Sequence, residues 1–294
     1  MTLEKLKSAA LAITGVLSLS VSMAIAKQLD PSIPTAMVVF VRSGFGLLFF
    51  MPVLIKERKA LSRINNIPLH IIRVTLAVLA MLCTYYTYRN LPIAFATSIG
   101  MTGPIFTTAL SGLILKEVIG CKKWILVVLG YIGALIVIKP TSFILDTAII
   151  TALLANLLAA TCVIIIKILS KKNSIVTIML VGNVGIFSVS FLISLVQWYP
   201  LNAYDMMLIS FTGALGIITQ LCLNVVIKRT SPSFVAPFEY SRMLFATAIG
   251  FVVFNEIPEI STIIGVIIII VSTYTMLIMK QNKLPVTNLE KSFK

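Results

Sequence analysis

Ten apolar stretches, each about the 20 residues needed to cross a bilayer as a helix, follow one another with only short polar clusters between them. They run over roughly 8–26, 34–55, 68–88, 93–115, 122–138, 147–168, 174–198, 206–227, 233–254 and 260–279. Nothing else in the chain restricts its fold as strongly. In lipid every backbone N–H and C=O must be satisfied internally, and a helix does this within one segment. Proline and polar clusters such as Asp30-Pro31-Ser32, Lys139-Pro140-Thr141 and Ser231-Pro232-Ser233 punctuate the stretches. With 59% hydrophobic and 12% charged residues, the chain is too apolar for a soluble enzyme, a disordered chain or a secreted disulfide scaffold. Lys5 and Lys7 precede an apolar run ending in Ala24-Ile25-Ala26, a pattern shared with signal peptides. The run is longer than a signal core, so it is read as a retained first span.

The net charge of +14 would suit a nucleic-acid partner only if the basic residues shared one solvated face. Here they alternate between the two ends of the stretches. With the N-terminus inside, eighteen of the 24 basic residues fall in cytoplasmic segments. Three (Lys27, Arg89 and Lys139) fall opposite, and Arg42, Arg73 and Arg242 lie within spans. This is the positive-inside pattern. It predicts an even number of spans, both termini cytoplasmic and no nucleic-acid partner. Arg73 and His70 are expected at the cytoplasmic interface, Arg73 by snorkelling. Residues 281–294 read as a polar cytoplasmic tail.

The halves repeat. Lys27 and Lys167 end the first and sixth spans 140 positions apart; Glu117 and Glu256 end the fourth and ninth 139 apart. The duplicated unit holds five spans, so its second copy is expected inverted in the membrane, with a substrate site at the repeat interface. The predicted fold is all-α and integral to the membrane: ten helices in two inverted five-helix repeats, 1–140 and 141–280.

Several motifs carry a resemblance. They are Phe40-Val-Arg42-Ser, Leu91-Pro-Ile-Ala-Phe-Ala-Thr97, Leu115-Lys-Glu117, Gly130-Tyr-Ile-Gly133 and Lys139-Pro140. Ala236-Pro-Phe-Glu-Tyr240, Phe254-Asn-Glu256 and Gly265 follow in the second copy. To about Lys280 the chain resembles the drug/metabolite transporter superfamily, in particular its ten-helix bacterial members with two EamA-type repeats. The resemblance implies a secondary carrier of the bacterial inner membrane working by alternating access. It implies lining by the first, third, fourth, sixth, eighth and ninth spans, and structural roles for Glu117 and Glu256. The chain looks similar to the branch that takes up S-adenosylmethionine in intracellular bacteria; amino-acid or metabolite export and drug export are the alternatives.

The residues themselves nominate a site. Charged groups at membrane depth usually face protein or water. Glu239 is the acid that lies well inside a span, and Arg242, three residues on, shares its helix face. Either the two neutralise each other or they meet a substrate. Arg42, about 12 Å into the second span, needs a carbonyl, a carboxylate or a substrate anion. Gln220 and Asn224 share a face of the eighth span, and Asn156 lies midway along the sixth. These amides join helices or line a cavity. Tyr85, Phe238 and Tyr240 could stack on a substrate ring, and Thr102 lies in the Thr97-to-Pro104 segment, which predicts a kink. Lys167 is expected to snorkel. Cys83, Cys121, Cys162 and Cys222 have no paired spacing, so no metal or disulfide framework is expected. No phosphate loop and no catalytic triad is present, so no cofactor and no enzyme activity are expected. The alternative of another class, a membrane-embedded lipid-modifying enzyme, lacks the acids and histidines it would need. The expected partners are a small-molecule substrate and the lipid bilayer; a homodimer is left open.

Overall fold

The computed structural model describes residues 3–26, 28–30, 32–56, 64–90, 99–138, 147–254 and 259–279. Among them are ten long helices: α1 (Leu3–Ala26), α2 (Thr35–Lys56), α3 (Ile67–Asn90), α4 (Gly103–Leu115), α5 (Cys121–Ile138), α6 (Thr147–Leu169), α7 (Ile175–Ser194), α8 (Ala203–Arg229), α9 (Pro232–Phe254) and α10 (Ile260–Ile278). Six described segments, in α1, α2, α3, α6, α7 and α8, are long and apolar enough to cross a bilayer; Gly103–Leu115 and Ile260–Met276 are shorter apolar helices. Glu256 and the tail lie outside the described residues.

Helices pair mainly across the two halves, α9–α10 being the most extensive contact within one, and the pairing across the halves has a two-fold pattern. Exchanging each helix for the one five places on turns the α1–α8 contact into α6–α3, α1–α9 into α6–α4, and α2–α8 into α7–α3. The contacts α2–α7, α4–α9 and α5–α10 map onto themselves. Each half therefore completes the other. On the α5–α10 seam the backbones touch: a Cβ added at Gly133 would stand 2.9 Å from the carbonyl oxygen of Gly265. Glycine at both positions is what permits the crossing.

The largest apolar core fills the lysine-rich end, where Ala9 and Ala12 of α1 meet Ile165 and Ile166 of α6, Val226 of α8 and Phe234 of α9. This end corrects three sequence expectations. Lys167 does not snorkel. It is buried, and its ammonium donates to the carbonyls of Ile227 (2.8 Å), Lys228 (3.1 Å) and Thr230. These are carbonyls that the end of α8 leaves without helical partners, and a buried cation is the strongest donor that can reach them. Arg73 is also buried. It donates to the Ile178 carbonyl at 2.7 Å, its guanidinium lying over Gly182. His70 is buried against α7 rather than solvated. In each case a neighbouring helix covers a face that composition had assigned to the interface.

Candidate functional site

The predicted kink in the fourth span is a break. Residues 99–100 are helical, Met101 and Thr102 form a turn, and α4 starts at Gly103. Pro104 lacks an N–H and cannot continue the ladder. The Ile99 carbonyl is instead bonded by the Thr102 N–H (2.9 Å), the Thr102 hydroxyl (2.7 Å) and the Asn156 amide nitrogen of α6 (2.9 Å). Asn156 also donates to the Thr102 hydroxyl at 3.2 Å. Thr102 and Asn156 thus hold the break open beside α6.

The break borders a cavity of about 240 Å³ between the two halves. Thr84 and Thr87 of α3 line it, with Gly100 before the break and Gly103 and Thr107 of α4. The α6 wall is Asn156 set among small residues, including Ala152, Ala155 and Ala159. Met23 of α1 and, from α9, Glu239 and Arg242 complete it. Six residues, about 9 Å of helix, separate Glu239 from Ser233 near the start of α9.

Two features make the cavity polar where it matters. Glu239 and Arg242 both line it, yet they make no ion pair with each other; among the described residues the one ion pair is Lys123 to Glu117 at 2.7 Å. Arg242 makes a long contact from its guanidinium to the Met101 sulfur at 3.8 Å. The Thr107 hydroxyl, on a residue 8% exposed, bonds no described residue. The cavity thus presents a carboxylate, a guanidinium and a hydroxyl to whatever enters, in surroundings where charges interact far more strongly than in water. No three His, Cys, Asp or Glu side chains cluster among the described residues.

The other nominated residues lie elsewhere. Gln220 and Asn183 bond each other through both amide groups (3.1 and 3.2 Å), joining α8 to α7. Asn224 is buried on α8 outside the cavity lining, and α8 contributes no wall. Phe238 lies in the lysine-rich core against Phe234, with ring centroids 5.2 Å apart. Tyr240 covers Gly130 of α5 and is fully buried. Arg42 packs over Gly216 of α8. The side chain of Tyr85 lies outside the described residues. The sequence reading missed Thr84, Thr87 and Thr107. The spacing of Thr84 and Thr87, three apart on an apolar helix, was the signal that could have found two of them. A larger depression of about 480 Å³ between α3 and α7 is lined almost wholly by aliphatic side chains beside His70, and no opposed charges meet there.

Comparison with known proteins agrees with this architecture. The profile of the EamA-like transporter family matches residues 6–139 and again 146–278. The S-adenosylmethionine uptake transporter of Rickettsia prowazekii is 24% identical over 254 residues, covering 86% of each chain. The pseudopaline exporter of Pseudomonas aeruginosa is 26% identical over 279 residues, covering 92% of this chain and 96% of its own. The riboflavin transporter of Vibrio cholerae is 28% identical over 246 residues, 82% of each chain. A crystal structure of another protein superposes with a TM-score of 0.78 at 12% identity, over 90% of this chain and 94% of that one, a likeness of fold.

Proposed function

The chain belongs to the EamA-like transporter family, and from that premise we propose that it is a secondary carrier of a small zwitterionic metabolite, with S-adenosylmethionine the most specific candidate. All ten helices span the bacterial inner membrane, with both termini cytoplasmic. The substrate lies in the cavity between the repeats and is released by alternating access. The observation that carries the reading is the unpaired juxtaposition of Glu239 and Arg242 on one cavity wall. Arg242 takes the substrate's carboxylate and Glu239 its cationic group, and each charge then replaces the water it lost with a partner. S-adenosylmethionine offers a carboxylate, an ammonium and a sulfonium within one short chain. The alanine-rich face of α6 leaves flat space for a ring, and Asn156 is the polar group on it. The uptake transporter of Rickettsia supports this choice; the pseudopaline exporter supports the second reading, export of a metabolite. Two repeats already enclose the cavity, so a second copy is not required.

The test is uptake of radiolabelled S-adenosylmethionine by cells expressing the chain, against vector-only cells, with unlabelled S-adenosylhomocysteine, methionine and other amino acids as competitors. Saturable uptake blocked by S-adenosylhomocysteine is expected. Absence of uptake, with the protein in the membrane, removes this substrate and leaves export.

A further inference from the structure

The N-terminal end of α9 is tied on two flanks. On one, the Glu117 carboxylate, in the loop after α4, accepts bonds from Lys123 at 2.7 Å, from Ser111 and from Ser233 of α9. Lys123 also donates to the Ser233 hydroxyl at 3.3 Å, and the Ser231 and Ser233 hydroxyls lie 3.1 Å apart. On the other flank, Lys167 of α6 holds the Thr230 carbonyl just before α9. Glu117, Lys123 and Lys167 are each 7% exposed.

Burying three charges is costly unless each is fully bonded, and apolar residues could close a bundle end at less expense. The sequence repeats this set only in part at the opposite end, where Glu256 and Lys27 answer Glu117 and Lys167. At the 139-residue offset of Glu117 and Glu256, the counterparts of Lys123 and Ser233 are Thr262 and Ala94. The cavity lies toward that opposite end. Thr84 and Thr87 are near the end of α3, Ala152 is near the start of α6, and Gly103 opens α4, whereas Glu117 follows its end. The large apolar core separates the cavity from the tied end.

We propose that Glu117, Lys123 and Ser233, backed by Lys167, form the latch of one gate of the transport cycle. The latch is made in this structure, so the cavity is closed off from the lysine-rich side. It breaks when the carrier turns to the lysine-rich side. The bonds from Ser233 to Glu117 and from Lys123 to Ser233 join the two repeats, and they are the ones that must part; the Glu117–Lys123 pair stays within the first repeat and travels with it. The proposal rests on the carrier reading above, but its test needs no substrate.

Ala12→Cys, at a position 0% exposed in the packed end, reports opening of this gate in a chain whose native cysteines are replaced by alanine. The labelling rate by a small maleimide is measured on purified protein in lipid nanodiscs. Ser233→Ala removes both bonds that join the repeats, each to a charged group, and is expected to raise the rate by at least about tenfold. Glu117→Lys and Lys123→Glu are each expected to raise it, and the double variant to lower it again. Ile269→Cys, buried where α10 meets α5, serves as control and is expected to stay slow throughout. An unchanged Ala12→Cys rate in all three single variants overturns the proposal, because the contacts are then static packing. An equal rise at Ile269→Cys overturns it too, since the variants then loosen the whole bundle. If latching holds while no S-adenosylmethionine enters cells, the substrate reading alone has failed.

Discussion

α4 and α9 occupy equivalent places in the two repeats and pack against each other on the pseudo-two-fold axis. Counted back without gaps from Glu117 and Glu256, the positions of Glu239 and Arg242 fall on Gly100 and Gly103. All four residues line the cavity. At these two positions one copy therefore supplies two opposite charges, and the other supplies no side chain. Had both copies kept the charges, like groups would have faced each other across a small space of low dielectric, at considerable cost. Duplication provided a symmetric frame, and divergence left the charges of the cavity on one side of the axis. The two ends diverged in sequence in the same way: Lys123 and Ser233, which meet Glu117 at one, fall on Thr262 and Ala94 at the other.

Erasing the difference should have the largest effect. Gly103→Arg copies the α9 residue into α4 and sets a second guanidinium in the cavity. The nearest atom to an added Cβ is the Asn156 oxygen at 3.8 Å, so the helix has room to start. Transport is expected to fall by more than about a hundredfold, with membrane expression retained; uptake normalised to protein in the membrane checks this. Halving the charged wall should cost less. Glu239→Gln is expected to lower kcat/KM by about ten- to a hundredfold, the worth of one bond to a charged group, and to leave the unfolding temperature unchanged. Unaltered kinetics would take Glu239 out of the site.

The latch has a pH signature of moderate size. Burial pushes the Glu117 carboxyl up from its ordinary value of 4.5, but bonds from Lys123, Ser111, Ser233 and Ser231 together outweigh burial and hold it below. A carboxyl depressed in the folded state stabilises above its unfolded value and loses that contribution as pH falls through the folded one. The gap in thermal stability between the native chain and Glu117→Gln is therefore expected to be constant above about pH 4.5 and to shrink below it. Melting curves across that range measure it. The smallest effect belongs to the empty side of the comparison. At Gly100 an added Cβ meets nothing within 4 Å. Gly100→Ala should keep the fold and change uptake less than about threefold, whereas Gly100→Leu, which fills the same space, should not be tolerated by transport.

Much of the architecture was legible beforehand. Apolar length marks helices because lipid leaves the backbone no other way to satisfy itself, and nine of the described helices follow the predicted stretches closely, while α4 starts at Gly103, ten residues into its own. The polar residues were harder to place. Gln220 and Asn156 looked alike: each an amide midway along an apolar helix. One bonds Asn183 in the packing between α7 and α8, and the other props open the break beside the cavity. Phe238 and Glu239 are neighbours in sequence, yet one lies in the core and the other in the cavity wall. The threonines of the cavity carry no charge, and only the three-residue spacing of Thr84 and Thr87 marked two of them.

By itself, then, the sequence determined the helical class, the lysine asymmetry between the two ends and the duplication, because these depend on hydropathy, loop charge and spacing read along one strand of chain. Which polar groups meet was decided by tertiary structure. Helical periodicity says that Glu239 and Arg242 share a face, but not that Gly100 and Gly103 face them, nor that Lys167 meets the end of α8. Those outcomes depend on contacts between segments more than 50 residues apart, and the packing of one repeat against the other makes them.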